Sequence, residues 1–348
     1  MGDLIQLLRA GKIGEFRAAV KADGKAARHP RAVVEAGRLA FQPALAALKS
    51  AGADLNAAWR NYRPVHSLLQ EDPHIRAGKP DPERVACLEW LLANGADPEQ
   101  VAAWPSARAI VVAAFVGSPE YVAVLRQGGA KMDGFALAAL GDVKRVEKGL
   151  AARPEFARER DHGGLTALQC AAGSRMPKAA TLEVARLLIE AGAEVTAQTK
   201  SWNHDVDAAY LAAGTKKLEL FELLLDRGAD ATASLTHAVW GKAYDLAEAA
   251  LARGAKIDRA TGNGKPLLND LICWGQIAQA MWLLERGASP NVADERGWTA
   301  VHQAASRGNA RVLQAVLDAS GDTGRRDREG RLPKDVAHAK LRGEIAGS

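Results

Sequence analysis

The chain has few cysteines, few aromatic residues and no long apolar run. Its three cysteines lie far apart among 348 residues and show neither a disulfide framework nor metal-ligand spacing. No run of about 18 consecutive apolar residues occurs, so the sequence predicts no membrane span. Phosphate loops, nucleophile elbows and the His-Glu-x-x-His zinc motif are missing too. These absences argue against a disulfide-stapled domain and predict a protein without metal or cofactor.

The charge of the chain is mild and evenly distributed. The formal net charge is +5, and basic and acidic residues alternate. The densest basic cluster, at 325–331, is interrupted by Asp327 and Glu329, which favours a solvated face over a nucleic-acid interface. The opening segment lacks the pattern of a signal peptide. The sequence therefore predicts a protein of a reducing, cytoplasmic compartment.

Tryptophan is the exception to the low aromatic content. The chain has eight Trp against six Phe and four Tyr, although Trp is ordinarily the rarest of the three. Trp is enriched at binding hot spots and needs a partner for its N–H group when buried. The positions of these side chains in the fold are therefore the main sequence guide to function.

A short phrase, leucines followed by Gly-Ala, returns with a period of roughly 33 residues. Each leucine stretch predicts a helix with one apolar face, ended by a glycine in the left-handed conformation. A shorter Ala-rich helix precedes it, as at 166–172 and 299–305. One such pair cannot bury both of its faces, so the pairs must stack into a solenoid. The glycines that end the leucine stretches are Gly52, Gly95, Gly129, Gly192, Gly228, Gly254 and Gly287.

These repeats resemble the ankyrin-repeat family. The segment Asp294-Glu-Arg-Gly-Trp-Thr-Ala-Val-His-Gln-Ala-Ala305 is similar to the family pattern Asp-x-x-Gly-x-Thr-Pro-Leu-His-x-Ala-Ala, and related segments begin at Asp161, Arg63 and Asp327. The resemblance implies an all-α ankyrin-repeat solenoid of about ten helix–turn–helix units with short hairpin loops. We expect a single domain over 1–348, with a degenerate N-terminal cap at 1–25 and a C-terminal half-repeat cap at 327–348.

The resemblance also implies structural roles for several polar and aromatic residues. His66 and His302 occupy the His of the Thr-Pro-Leu-His element, which implies hydrogen bonds within and between repeats. Asp335 takes the equivalent place in the last copy, and we expect a similar role. Trp90 and Trp282 share one leucine-type position of the second helix, which predicts that both lie in the core.

Four other Trp fall in three consecutive repeats. Trp240 and Trp274 end the first helices of consecutive copies, each directly before a glycine, where the resemblance implies a concave groove. His237 and Asp270 take equivalent positions about one turn earlier, and hairpin loops carry two further Trp toward the same groove. The segment 200–207 replaces the usual hairpin tip and adds polar groups. The predicted binding residues are Trp202, Asp205, Asp207, His237, Trp240, Asp270, Trp274 and Trp298.

The sequence leaves two functions open. The resemblance favours a non-catalytic scaffold that binds a protein or peptide partner through its concave groove and hairpin tips. The alternative is a small-molecule-binding protein or an unusual enzyme with a Trp-lined pocket within 200–307. Trp faces beside carboxylates would suit a cationic or amphipathic small molecule. No spacing demands catalysis, so the sequence favours a protein that is not an enzyme without deciding the question. Acid–base chemistry, if present, would use His237, Asp270, His204 and Tyr210.

Overall fold

Stacked helices make up most of the protein. The computed structural model describes residues 2–70, 79–102, 106–201, 204–261 and 264–341. Close backbone contacts divide the chain into two compact units, Met1–Thr215 and Lys216–Ser348.

The first unit holds fourteen helices and two short antiparallel hairpins among its described residues. The helices are α1 (Gly2–Arg9), α2 (Ile13–Ala22), α3 (Gly24–Ala27), α4 (Pro30–Arg38), α5 (Gln42–Ser50), α6 (Pro64–Gln70), α7 (Pro82–Ala93), α8 (Ala109–Val116), α9 (Pro119–Gln127), α10 (Gly134–Leu140), α11 (Val143–Ala152), α12 (Ala167–Gly173), α13 (Lys178–Glu190) and α14 (Ala208–Thr215). The strands are β1 (Val101–Ala102), β2 (Ala107–Arg108), β3 (Thr199–Ser201) and β4 (His204–Val206).

The inner helices of the first unit form one continuous row. From α4 to α14, each even-numbered helix packs against the next even-numbered one, and those from α4 to α12 also pack against the helix that follows in the chain. Small residues make this close approach possible. Every residue of α12 is buried, because Ala and Gly let three neighbouring helices lie against it.

The second unit holds seven further helices in its described part, together with two short 3₁₀ helices, Pro333–Val336 and Ala339–Leu341. Inner helices α18 and α20 pack directly side by side, and outer helices α19 and α21 do the same. Helix α16 packs on α17 but makes few close backbone contacts with α18. The helices are α15 (Leu218–Asp226), α16 (Ala231–Trp240), α17 (Tyr244–Ala252), α18 (Leu267–Cys273), α19 (Ile277–Leu284), α20 (Ala300–Arg307) and α21 (Ala310–Asp318).

The helix ends follow the sequence pattern. All seven glycines of the repeated phrase have a positive φ, between 82° and 98°, which confirms the predicted left-handed ends. Helix α11 ends at Ala152, and Pro154 opens a 3₁₀ turn in place of the missing glycine. Helix α16 begins directly after Asp230, whose carboxylate caps it, so no hairpin separates it from α15.

The all-α prediction is confirmed. Leaving out the short α3, the other twenty helices of the described residues follow one another along the chain as ten pairs. The core prediction is confirmed for Trp282, which is 8% exposed and stacks on Tyr244 with ring centroids 5.2 Å apart. Trp90 is only half-buried, because Cys87, Leu88 and Leu91 fill the buried face of α7.

Candidate functional site

The two histidines of the repeat motif hold neighbouring repeats together. Nε2 of His66 donates to the carbonyl of Ala107 at 3.0 Å. Nδ1 of His302 accepts from the backbone N–H of Thr299 at 3.3 Å, and its Nε2 donates to the carbonyl of Arg331 at 3.3 Å. These contacts confirm the predicted structural roles, and burial lowers the pKa of both rings, to about 4 for His66.

Asp335 plays the same local role in the last copy. Its Oδ2 accepts from the backbone N–H of Leu332 at 2.7 Å, three residues earlier. In α12 the equivalent residue is Gln169, whose Oε1 accepts from the N–H of Thr166 at 2.9 Å. In different copies, a His, Gln or Asp side chain therefore accepts a hydrogen bond from the backbone N–H group at the start of the inner helix, which has no partner within the helix.

The inner helices of the second unit can be aligned on the left-handed residue that follows each of them. Lys242, Gly275 and Gly308 all adopt positive φ, at 53°, 71° and 68°. Counting back from these residues confirms that His237 and Asp270 are equivalent, and the carbonyl of each accepts the backbone N–H four residues later. On α20 the equivalent residue, at the same distance before Gly308, is Gln303.

The alignment of the two groove tryptophans is shifted by one residue from the sequence prediction. Trp240 is the last residue of α16, whereas Trp274 is the first residue after α18. The left-handed residue follows Gly241 in one repeat and Trp274 in the next. Trp240 is therefore equivalent to Cys273. A glycine follows each Trp, but only Gly275 adopts the left-handed conformation, whereas Gly241 has a φ of −77°.

The predicted groove residues of the second unit differ in exposure. Trp274 is 66% exposed and is the large apolar side chain that stands out in the described residues. His237 and Trp240 are half-buried. Asp270 is 2% exposed, so its carboxylate belongs to the interior of the repeat stack rather than to an open surface.

Trp298 lies at the other end of the inner helices from Trp274. Nδ2 of Asn269, near the start of α18, donates to the carbonyl of Trp298 at 2.8 Å. Nη2 of Arg307, the last residue of α20, donates to Sγ of Cys273 at 3.1 Å. The two helices therefore run parallel with matched ends, and about 10 Å of helix separates the two Trp positions.

The ring of Trp298 is occupied by contacts within the chain. Its Nε1 donates to Oδ2 of Asp327 at 3.0 Å. The guanidinium of Arg296 lies 4.4 Å from the ring centroid, and that of Arg331 lies 6.0 Å away. These cation–π contacts and the hydrogen bond join two consecutive hairpin loops.

The loop that replaces the usual hairpin tip forms the hairpin β3–β4 in the first unit. Trp202 and Asn203 lie outside the described residues, as does the side chain of His204. Asp205 is exposed, and its Oδ1 pairs with Nζ of Lys200 at 3.6 Å. Asp207 is buried, and its Oδ1 accepts from the backbone N–H of Tyr210 at 2.8 Å at the start of α14. Burial raises the pKa of Tyr210.

A cavity of about 370 Å³ lies beside Trp274. It is formed by the turn between α18 and α19 and by the equivalent turn between α20 and α21. His237, Trp240 and Asp270 are not among the residues that line it. The lining consists of Ile272, Cys273, Trp274, Gly275, Ile277, Arg307 and Asn309.

Two basic side chains approach the sulfur atom at the edge of this cavity. Besides the contact from Arg307, Nζ of Lys265 lies 3.7 Å from Sγ of Cys273. Cys273 is half-buried, whereas Cys87 and Cys170 are fully buried and burial raises the pKa of both thiols. The surroundings of Trp274 are thus apolar and basic rather than acidic.

The sequence prediction missed Cys273 and Arg307. Each lies at the end of an inner helix, and Cys273 occupies the position equivalent to Trp240. A count from the left-handed residues rather than from the glycines would have placed Cys273 on the same row as Trp240. No pattern in the sequence shows that Arg307 reaches across to the preceding repeat.

Other kinds of site find little support in the part of the chain that the structure describes. No group of three or more His, Cys, Asp or Glu side chains there is placed to hold a metal ion. Within the same residues, no helix combines the length and the apolar character needed to cross a membrane. In the C-terminal arginine cluster, Arg331 pairs with Asp327 at 2.9 Å and Arg326 donates to the carbonyl of Gly330 at 2.6 Å.

Comparison with known proteins points to one repeat family. A family profile described as "Ankyrin repeats (many copies)" matches residues 271–317, and one described as "Ankyrin repeat" matches residues 163–200. The ankyrin repeat-containing protein P1E11.10 of Schizosaccharomyces pombe is 42% identical over 50 residues, which cover 14% of this chain and 24% of that protein. The chain thus matches about a quarter of the length of this relative.

Two solved ankyrin-repeat domains are among the structures to which this chain is similar. The ankyrin repeat domain of Bcl-3, described as a unique member of the IkappaB protein family, is 23% identical with a TM-score of 0.53, over 63% of this chain and 99% of that one. The human ASB11 ankyrin repeat domain is 20% identical with a TM-score of 0.48, over 62% and 97% of the two chains. The first of these likenesses bears on the fold alone.

Proposed function

The chain is an ankyrin-repeat protein, and we propose that it is a recognition scaffold that binds a protein or peptide partner through its inner helices and hairpin tips. Proteins with the same repeat fold have many different functions, so this proposal depends on the surface of this chain rather than on the family.

The exposure of Trp274 is the observation that carries the proposal. A Trp side chain that is 66% exposed leaves a large apolar area in water, and here the ring borders a cavity with Ile272 and Ile277. Exposed apolar patches next to a concavity mark interaction sites more often than scattered single residues do.

The groove that we propose extends beyond Trp274. Within the second unit it includes the half-buried Trp240 and His237 on α16. The exposed Asp205, on the hairpin β3–β4 of the first unit, is a separate proposed contact for a partner. Asp207 in the first unit and Asp270 in the second are buried, so each would support the surface of its own unit rather than contact a partner. The remaining members of the proposed binding set are Trp202, which lies outside the described residues, and Trp298, whose ring also contacts Asp327 and Arg296.

The alternative function is a small-molecule pocket with acid–base groups for catalysis. It requires Trp202, His237, Trp240, Asp270 and Trp274 to converge on one cavity. Trp202 lies outside the described residues, and the cavity at Trp274 is lined without His237, Trp240 and Asp270, so the scaffold has the better support. A cationic probe such as tetramethylammonium tests the alternative: a rise in Tm that is lost in Asp270→Asn would favour the pocket.

A Trp274→Ala variant tests the scaffold. Because the side chain is mostly exposed, we expect the fold to survive, with an unchanged circular dichroism spectrum and a Tm close to that of the wild type. We expect capture of the native partner from a cell lysate to fall about tenfold or more, since Trp hot spots contribute about 2 kcal/mol or more to binding. Quantitative mass spectrometry of the captured proteins measures the change.

Two further variants make this test specific. Trp240→Ala should also weaken capture, whereas Trp90→Ala, on the outer helix α7, should leave it unchanged once its fold has been checked. If neither Trp240→Ala nor Trp274→Ala alters the captured set, the scaffold proposal is wrong.

We also propose a cytoplasmic location for the protein. The support is the state of its cysteines: Cys87, Cys170 and Cys273 are all free thiols, and two of them are fully buried. A chain that keeps three unpaired thiols suits a reducing compartment.

A further inference from the structure

The cavity beside Trp274 has a chemical character of its own, and we propose that it binds an acidic peptide segment of the partner. In this arrangement an apolar side chain of the peptide lies on Trp274, and a neighbouring carboxylate pairs with Arg307. The inference rests on the proposed scaffold function and adds the class of partner.

The apolar half of the site comes from one turn. Trp274 caps the end of α18, Ile272 lies just inside that helix and Ile277 opens α19. Gly275, between them, adopts a φ of 71°, and a Cβ built on it would meet no atom within 4 Å. The cavity of about 370 Å³ lies near the lower end of the range for ligand pockets. It therefore suits one or two peptide side chains held against the Trp ring.

The charged half of the site is basic. Arg307 is exposed and Lys265 is half-buried, and both direct nitrogen atoms toward Sγ of Cys273. Among the described residues, neither pairs with a carboxylate of the chain, whereas Arg253, Arg286 and Arg331 all do. None of the described residues that line the cavity is acidic.

The sign of this charge decides the class of partner. Two cations without carboxylate partners beside an apolar cavity repel a basic ligand and attract an acidic one. In the sequence, Trp faces beside three aspartates suit a cationic or amphipathic small molecule. Two of these, Asp207 and Asp270, are buried, so they present little negative charge at the surface. An acidic segment that also carries an apolar side chain matches both halves of the site.

Cys273 offers a direct readout of occupancy. It lines the cavity and is half-buried, whereas Cys87 and Cys170 have no exposed surface. N-ethylmaleimide should therefore modify Cys273 in the native protein far faster than the other two thiols. A peptide seated on Trp274 and Arg307 would slow that modification, and mass spectrometry would measure the rate at each cysteine.

The test is a selection from a random peptide phage library on the full chain. We expect the enriched peptides to carry Asp or Glu next to Leu, Phe or Trp, and to slow N-ethylmaleimide at Cys273 about tenfold. Their Kd should rise about tenfold in Arg307→Gln and in Trp274→Ala, because each loses one half of the site. The matched control is Arg311→Gln, which removes the same charge from the exposed surface of α21 and should leave the Kd unchanged.

The possible results separate this inference from the scaffold proposal. Enriched peptides that are basic, or that bind Arg307→Gln and Trp274→Ala as tightly as the wild type, would overturn the acidic-peptide site and leave the scaffold standing. A selection without any binder would overturn the acidic-peptide site, and unchanged lysate capture by both Trp240→Ala and Trp274→Ala would overturn the scaffold as well.

Discussion

The hydrogen bonds of each motif histidine depend on which partners its own repeat supplies. Nδ1 of His302 accepts from Thr299, whereas the residue at the equivalent place before His66 is Arg63, which has no hydroxyl group. Nδ1 of His66 is buried and has no hydrogen-bond partner in the described structure. Arg63 instead donates its Nε to the carbonyl of Val101 at 3.1 Å. His66 is therefore held as a neutral ring with only one of its nitrogen atoms bonded.

We expect this histidine to make stability depend on pH. Burial lowers the pKa of His66 from 6.5 to about 4, so the unfolded chain takes up the proton first as the pH falls. Stability should be complete above about pH 6.5 and should decline toward pH 4, by roughly 3 kcal/mol in all. Urea unfolding at a series of pH values measures this loss, and His66→Gln should flatten it. His162→Gln, at an exposed position, is the control, and an equal slope in both variants would contradict the prediction.

At the scale of the element, the ends of the helices decide how firmly each repeat is built. Helix α20 begins with reciprocal capping between Thr299 and His302 and ends at Gly308 in the left-handed conformation. Helix α16 ends at Trp240, and Lys242, two residues further on, adopts the same left-handed conformation with a φ of 53°. For a residue other than glycine, the left-handed conformation costs roughly 1–2 kcal/mol of stability. The repeat around α16 is thus the weaker of the two.

Hydrogen exchange should reveal this difference. We expect the amides of 234–257 to exchange earlier than those of 299–317, because α16 lacks a preceding hairpin and has few close contacts with α18. Lys242→Gly should raise the protection of 234–257 by about 1 kcal/mol, since glycine adopts this conformation without strain. Lys242→Ala removes the same charge without relieving the strain and should give no such gain. Equal protection in both segments of the wild type would refute the prediction.

At the scale of the whole molecule, stability is a sum of local contributions. In a stack of repeats each unit contacts only its neighbours, so no single core spans the chain. Buried charge shows the same locality. Arg108 is 3% exposed and bridges Glu99 at 3.1 Å and Asp133 at 2.6 Å, residues of the repeats on either side. This guanidinium connects adjacent loops in the first unit.

We expect Arg108→Met to cost about 3 kcal/mol of local stability, because it leaves two carboxylates without their shared partner. Hydrogen exchange should show the loss near 99–140, with unchanged protection at 299–317. Arg145→Met is the control: its exposed pair with Asp142, at 2.7 Å, should contribute less than about 1 kcal/mol. A loss of protection along the entire chain would show that the repeats are more strongly coupled than this account allows.

The sequence alone determined the repeat, the order of the helix pairs and the structural roles of His66, His302 and the seven glycines. These features depend on interactions within one repeat, and the residue types that make them recur from copy to copy. Only the tertiary structure decided which side chains of neighbouring repeats meet. The left-handed Lys242 shifted Trp240 by one residue against Trp274, and the stacking of α18 on α20 brought Arg307 to Cys273. Contacts of this kind depend on where each helix ends and how its neighbour is seated, which no spacing in the sequence encodes.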